Sequence, residues 1–258
     1  MQQSQQTALA LHQMKSARKV HVTATRLHSS RPAAVRATAV GTRTVERALA
    51  LLGVVTEAPT SLSECARLTS LPPSTALRLL RTLEAAGFAS RDAEGDFAAG
   101  PRMVQLGATA LGSHELTRAA TPALERIVQA TGESTYLSIR GVGETALYVA
   151  LVEGTHPVRH TSWVGRSIPM AGLAVGRALS GDVPEPDGYV AERDLGEPDV
   201  TAIVAPIRSR GGVIGALSVL GPTYRIDDET MHRYGRVVAE ESSRLSEQFG
   251  ADPREDHS

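Results

Sequence analysis

Cysteine is all but missing from this chain of 258 residues, which has only Cys65. One thiol excludes an intramolecular disulfide framework and any multi-cysteine zinc site, and it fits a reducing compartment. Cys65 itself falls at an apolar position of a predicted helix, where it reads as a small buried hydrophobe rather than a reactive thiol. Aromatics are scarce too, at 3%, so the cores have to be built from Ala, Val, Leu and Ile. No apolar run approaches the roughly 18 residues needed to span a bilayer. The first 40 residues hold no sustained apolar core of a secretory signal. The expectation is a cytoplasmic protein with no membrane partner.

Catalytic signatures are lacking as well. Gly141-x-Gly143 follows one predicted strand but leads into another, whereas a dinucleotide site needs a helix there. His156 and His160 have the i,i+4 spacing of zinc helices, but Pro157 and Val158 between them make 156–163 read as a strand. On a strand that spacing sets the two rings far apart, so structural or surface histidines are expected. No Ser/His/Asp grouping is identifiable. The expectation is a protein that is not an enzyme and needs neither metal nor cofactor.

Acidic residues are absent from residues 1–41, which carry Lys15, Arg18, Lys19, Arg26, Arg31 and Arg36. That segment is rich in Gln, Ser, Thr and Ala without a convincing apolar period, and reads as a disordered basic arm. A solvated tail, a DNA-contacting arm, a transit peptide and a start codon assigned upstream of the real one all fit its composition. The formal charge of −1 conceals an asymmetry. Residues 1–114 hold 13 Lys+Arg against 7 Asp+Glu, and residues 115–258 hold 14 against 21. A basic front half on an acidic rear half suggests that only the front meets a polyanion. The length suits two compact domains or one large one.

From Thr42 the pattern changes. Val45, Ala48, Leu49, Leu52 and Val55 recur at helical spacing. After Pro59, Ser61 and Glu64 form an S-x-x-E capping box that opens a short helix with Leu62, Cys65, Ala66 and Thr69 on one side. A tight Ser70-Leu71-Pro72 break leads to a third helix from Pro73 to about Gly87. Ala76, Leu77, Leu80 and Leu83 give it one buried face, while Ser74, Thr75, Arg78, Arg81 and Thr82 line the other. Hydroxyls at the N-terminal end and arginines one turn on are what a recognition helix needs. The former hold phosphates or touch base edges, and the latter reach guanine or the backbone. Residues 88–91 and 97–99 then read as two short strands around Asp92-Ala93-Glu94-Gly95, a wing carrying Arg91. Acids at Asp92, Glu94 and Asp96 make that wing a backbone clamp rather than a base reader.

These pieces resemble the IclR family of bacterial transcriptional regulators. The matching runs are Thr44-Val45-Glu46-Arg47-Ala48-Leu49, then Leu71-Pro72-Pro73-Ser74-Thr75-Ala76-Leu77-Arg78-Leu79-Leu80-Arg81-Thr82-Leu83, then Gly100-Pro101-Arg102 ahead of Leu106-Gly107. Weaker matches follow in order: Thr131-Gly132-Glu133-Ser134, Ser167-Ile168-Pro169-Met170, Ala202 to Ile207, and Gly215 to Pro222. The resemblance implies an α+β chain with an N-terminal winged helix-turn-helix, a linker helix that pairs in a homodimer, and a C-terminal GAF-like α/β effector domain. It implies operator DNA bound by dimers or tetramers, with a small-molecule metabolite effector altering that binding. The expected organisation is a disordered arm 1–41, a DNA-binding domain 42–100, a linker helix 101–116, an effector domain 117–249 and a disordered tail 250–258. Arg43, Arg47, Ser74, Thr75, Arg78, Arg81 and Arg91 are the expected DNA-binding residues. Two departures stand out. Only about 20 residues separate Ser180 from Thr201, where the family usually has several tens more, so the effector domain is shortened. Ala202 also stands where the family often has a pocket cysteine.

The rear half can be read from its own residues. Pro101 to Leu116, with Met103, Val104, Leu106, Ala108, Ala110 and Leu111, is apolar around most of its circumference and requires cover from a partner chain or an intrachain core. Thr121 and Pro122 read as the start of the next helix and Gly132 as its end. Strands are expected at 134–140, 145–152 and 156–163, and a hairpin at 201–208 and 213–220. A final helix spans about 227–249. Strands without strict βαβ alternation point to an α+β sensor. Met170, Ala174 and Val175 on an Ala-rich helix, facing Ala202 and Ser218, would form a mainly apolar effector cavity, to which Leu137 and Leu220 are added. An effector-independent dimeric architectural or protein-interaction module is the alternative.

Overall fold

The computed structural model describes residues 42–160 and 162–251. The basic arm 1–41 and residues 252–258 of the tail lie outside the described residues.

The front of the chain packs three helices, α1 (Arg43–Glu57), α2 (Leu62–Leu68) and α3 (Pro73–Ala85), against a hairpin of β1 (Ala89–Arg91) and β2 (Phe97–Ala99). Leu51, Val55, Cys65, Ala66, Ala76, Leu79, Leu80 and Phe97 form its core. Cys65 is fully buried, and burial pushes its thiol pKa up, so it behaves as a hydrophobe. The capping box of α2 closes only halfway. Ser61 Oγ accepts the Glu64 amide at 3.3 Å, but the Glu64 carboxylate turns forward to Arg67. Thr60 bridges to Phe97, adding a third short segment beside the wing. Gly100 ends the hairpin under tight constraint: a Cβ there would stand 2.2 Å from the Gly87 carbonyl oxygen.

Two features of α1 and α3 differ from the periodic reading. Leu79, not Leu77, joins the fully buried Leu80 in the core of α3, and Leu77 is only partly buried. On α1 the inward stripe is Leu51 and Val55 with Ala48 and Leu52 at its edge, so Val45 and Leu49 face outwards, 55% and 60% exposed. The helix is apolar on two sides, and one chain covers only one of them.

Next comes α4 (Pro101–Ser113), which has no buried residue at all. His114 breaks the helical path with φ −71° and ψ 112°, and α5 (Glu115–Thr131) begins immediately after it. Pro122 therefore lies inside α5 rather than at its start. It is tolerated because Thr121 and Pro122 are on the exposed side, where water can satisfy the carbonyl left without an N–H donor. Gly132 closes α5 at φ 74°.

The rear of the chain is built on a six-stranded antiparallel sheet of order β5-β4-β3-β8-β7-β6. Its strands are β3 (Ser134–Arg140), β4 (Thr145–Val152), β5 (Ser167–Pro169), β6 (Val190–Arg193), β7 (Val200–Ser209) and β8 (Gly212–Pro222). Instead of the strand expected at 156–163, the described residues 156–160 and 162–163 carry no strand, with a bend at Pro157 and Trp163 buried; pairing resumes only at β5. The edge strand β6 had no sequence signal. One sheet face, with Leu137, Ile203, Ala205, Ile207, Leu217 and Val219, packs on α5 and on α7 (Asp228–Gln248). The opposite face, with Tyr136, Tyr148, Ala146, Val204, Ala216 and Leu220, packs on α6 (Ala174–Ser180) and on the loop bearing Trp163. Gly250 and Ala251, expected in a disordered tail, cap α7 with amide bonds to Glu247 and Ser246 carbonyls. No helix among the described residues is long and apolar enough to cross a membrane.

Candidate functional site

Chemistry concentrates in two places, the outer side of α3 with its wing and a small cavity under the α6 face of the sheet. Burial of Ala76, Leu79 and Leu80 turns Ser74, Arg78, Arg81 and Thr82 outwards, all of them exposed, while Thr75 is half-buried. Pro72 and Pro73 start the helix without a side-chain cap, which leaves first-turn amides for an outside acceptor. Ser74, Leu77, Arg78, Arg81, Thr82 and Ala85 line an open concavity of about 520 Å³ along this face. Thr82 is the least available of them, because its hydroxyl donates back to the Arg78 carbonyl at 3.0 Å.

The wing is held from within. Asp92 Oδ1 accepts the amides of Glu94 and Asp96 at 3.1 and 2.8 Å, which fixes the turn. Arg91 lies 4.4 Å over the Phe97 ring and 3.5 Å from Glu84, so it is tethered to the end of α3 rather than free. By contrast, no ion pair among the described residues engages Arg43, Arg47, Arg78 or Arg81. Arg43 and Arg47 are exposed on α1.

The second place is lined by Tyr148, Trp163, Ile168, Leu173, Val175, Glu192, Gly196, Glu197, Val200, Ala202, Val204 and Leu220. Its free volume is only about 20 Å³, room for one water. Of the expected effector residues, Val175, Ala202 and Leu220 line it directly. Met170 and Ala174 are buried beside it in the α6 core. Ser218 lies on the same sheet face, in register with Val204 and Tyr136, with its hydroxyl fully buried and lacking a hydrogen-bond partner. Leu137 is a correction. Strand alternation points it to the α5–α7 face, where it is a core residue that cannot reach the cavity.

Several groups lining or backing this cavity were not among the expected effector residues. Tyr136, Tyr148, His160 and Trp163 form an edge-to-face cluster with ring centroids 4.6–5.5 Å apart. Tyr136 OH and His160 Nδ1 are 2.7 Å apart, and His160 Nε2 is 3.2 Å from a Glu197 carboxylate oxygen. Because a carboxylate only accepts, Nε2 carries the proton and the Tyr136 hydroxyl donates to Nδ1. Burial pushes the pKa values of both Tyr136 and Tyr148 upwards. Glu192 accepts the Ala174 amide at the start of α6, and burial raises its carboxyl above the ordinary range. Scarcity was the usable signal here, since the chain's one tryptophan sits in this cluster. His156 stands apart, 3.8 Å from Glu133. Among the described residues no group of three or more His, Cys, Asp and Glu could hold a metal ion.

A face of hydroxyls and unpaired arginines on the helix after a tight turn, beside a hairpin, is the geometry of a winged helix-turn-helix. The model of the IclR helix-turn-helix domain matches residues 44–93, and that of the bacterial transcriptional regulator IclR C-terminal domain matches residues 108–186, together half of the chain. The chain belongs to the IclR family.

Among IclR-family relatives, the HTH-type transcriptional regulator KipR of Bacillus subtilis (strain 168) is 31% identical over 59% of this chain. That match spans 62% of KipR, less than two thirds of its length. The HTH-type transcriptional regulator BhcR of Paracoccus denitrificans (strain Pd 1222) is 27% identical over 84% of this chain and 90% of its own. An IclR homologue from Microbacterium hydrocarbonoxydans, crystallised with 4-hydroxybenzoate, shares the fold with a TM-score of 0.65 at 23% identity, over 80% of this chain and 98% of that one. This IclR-family chain is therefore a transcriptional regulator with a helix-turn-helix DNA-binding domain, not an enzyme.

Proposed function

We propose that this regulator is a homodimer whose operator binding is modulated by a small-molecule effector. The carrying observation is the exposed α3 face, with Ser74, Arg78 and Arg81 directed outwards and no ion-pair partner for either guanidinium among the described residues. Arg78 and Arg81 read bases or grip the backbone, Ser74 and Thr75 hold a phosphate at the helix start, and Arg91 clamps the backbone from the wing. Arg43 and Arg47 add phosphate contacts from α1. Two copies set their recognition helices in successive major grooves, about 34 Å apart.

The effector site is the cavity flanked by Val175, Ala202 and Leu220, with Met170, Ala174 and Ser218 behind it. The Microbacterium homologue, crystallised with a small aromatic acid, supports ligand binding by a domain of this fold. Ligand binding favours one arrangement of the sensor domains and so changes the spacing of the recognition helices. Linkage then requires operator DNA to change effector affinity by the same factor. Calorimetric titration of an effector with and without operator tests this. Different affinities are expected, and identical ones contradict the mechanism.

One observation favours a second reading. A void of about 20 Å³ holds no metabolite without opening, as suits a shortened sensor that only dimerises. In that case no ligand raises the melting temperature in a thermal-shift screen.

A further inference from the structure

The cavity beneath α6 has an uneven electrostatic lining. Its walls contribute two carboxylates, Glu192 and Glu197, and among the described residues neither lysine nor arginine lines it. Two guanidiniums stand close by, and each already has a partner. Arg177 pairs with Asp182 at 2.9 Å, and Arg166 lies 5.3 Å over the Trp163 ring. The Ala174 amide at the start of α6 is already taken by Glu192. An anion entering here would meet two carboxylates, while the nearest guanidiniums, Arg166 and Arg177, are already partnered.

A cation meets the reverse. The aromatic rings of Tyr148 and Trp163 line the void and attract positive charge, as the Arg166 guanidinium over Trp163 illustrates. Glu197 donates nothing and accepts only the His160 N–H, so it keeps lone pairs to offer. Ser218, paired with Val204 behind the cavity wall, holds a buried hydroxyl that has no hydrogen-bond partner among the described residues. Burial disfavours the ionised form of Glu192, and a cation beside it would restore that form. Glu197 also sits on the short turn between β6 and β7, whose two ends, Asp194 and Asp199, hold φ of 58° and 61°. Such a turn of unfavourable backbone geometry can yield when a ligand larger than the water-sized void arrives.

We propose that the effector is a small protonated amine on an apolar body, its ammonium held between Glu192 and Glu197 and its body laid against Trp163 and Tyr148. This rests on the reading of the cavity as an effector site. The test uses the full chain and three matched pairs of probes: benzylamine with benzoate, tyramine with 4-hydroxyphenylacetate, and butylamine with butyrate. Thermal shift and calorimetry should detect at least one amine and none of the acids. Glu197→Gln should weaken the amine about tenfold, as should Glu192→Gln, which keeps an acceptor for the Ala174 amide. Unchanged operator affinity of both variants without ligand shows that they fold. Acids binding in place of amines would overturn the proposal and leave the effector reading standing. Equal amine affinity in the variants would overturn it too, while failure of every probe of either charge would sink both.

Discussion

At the scale of single residues, the buried ion pair of the sheet domain is the most demanding feature. Glu133 is fully buried at the start of β3, its carboxylate meeting Arg225 through two bonds of 2.6 and 2.9 Å. Removing one partner of such a pair strands the other charge. Glu133→Ala should therefore cost about 3 kcal/mol, the low end for buried pairs because Arg225 is partly open to water. Urea unfolding at neutral pH measures it, and a loss under about 1 kcal/mol would show that the pair is not buried in solution. Glu133 was legible only as part of a Thr-Gly-Glu-Ser run. Its partner lies 92 positions away, and nothing local in the chain links the two. The same distance problem hid Glu192 and Glu197, which lie in the short stretch between α6 and β7 and reach Ala174 and His160 only through the fold. Arg78 and Arg81, by contrast, were readable, because helical periodicity alone fixes which side of α3 they occupy.

At the scale of elements, α4 is the anomaly that needs a partner. An amphipathic helix normally buries its apolar stripe, yet here Val104, Leu106 and Leu111 are 67%, 46% and 38% exposed. Among the described residues, no intrachain core covers it. Association of two α4 helices, with Val45 and Leu49 of α1 contributing, would remove that surface from water at about 25 cal/mol per Å². Val104→Glu with Leu111→Glu should convert a dimer to a monomer in sedimentation velocity, with little change in the fold of the rear sheet by circular dichroism. An unshifted sedimentation coefficient would mean that α4 is not the interface. Strands β3 and β4 stood out in the sequence because they flank the Gly141-Val142-Gly143-Glu144 turn, Gly132 precedes β3 and Gly154 follows β4. The loop around Trp163 misled because its apolar residues imitate a strand, while the proline at 157 and the aromatic cluster below hold it off the sheet edge.

At the scale of the whole molecule, the charge asymmetry of the sequence matches the division of labour between its halves. In the front half Arg43, Arg47, Arg78 and Arg81 are exposed, while the acidic rear supplies a cavity that no lysine or arginine lines among the described residues. The central claim is that the outer side of α3 reads an operator. It is tested most directly by fluorescence anisotropy on a duplex from the DNA flanking the coding sequence, titrated over a range of salt concentrations with the native chain and with Arg78→Ala. Arg78→Ala should lose about 1–3 kcal/mol of binding free energy on the specific duplex. A scrambled duplex should be bound more weakly by both proteins and discriminate little between them. Equal affinity of the two proteins for every duplex at every salt concentration would contradict it.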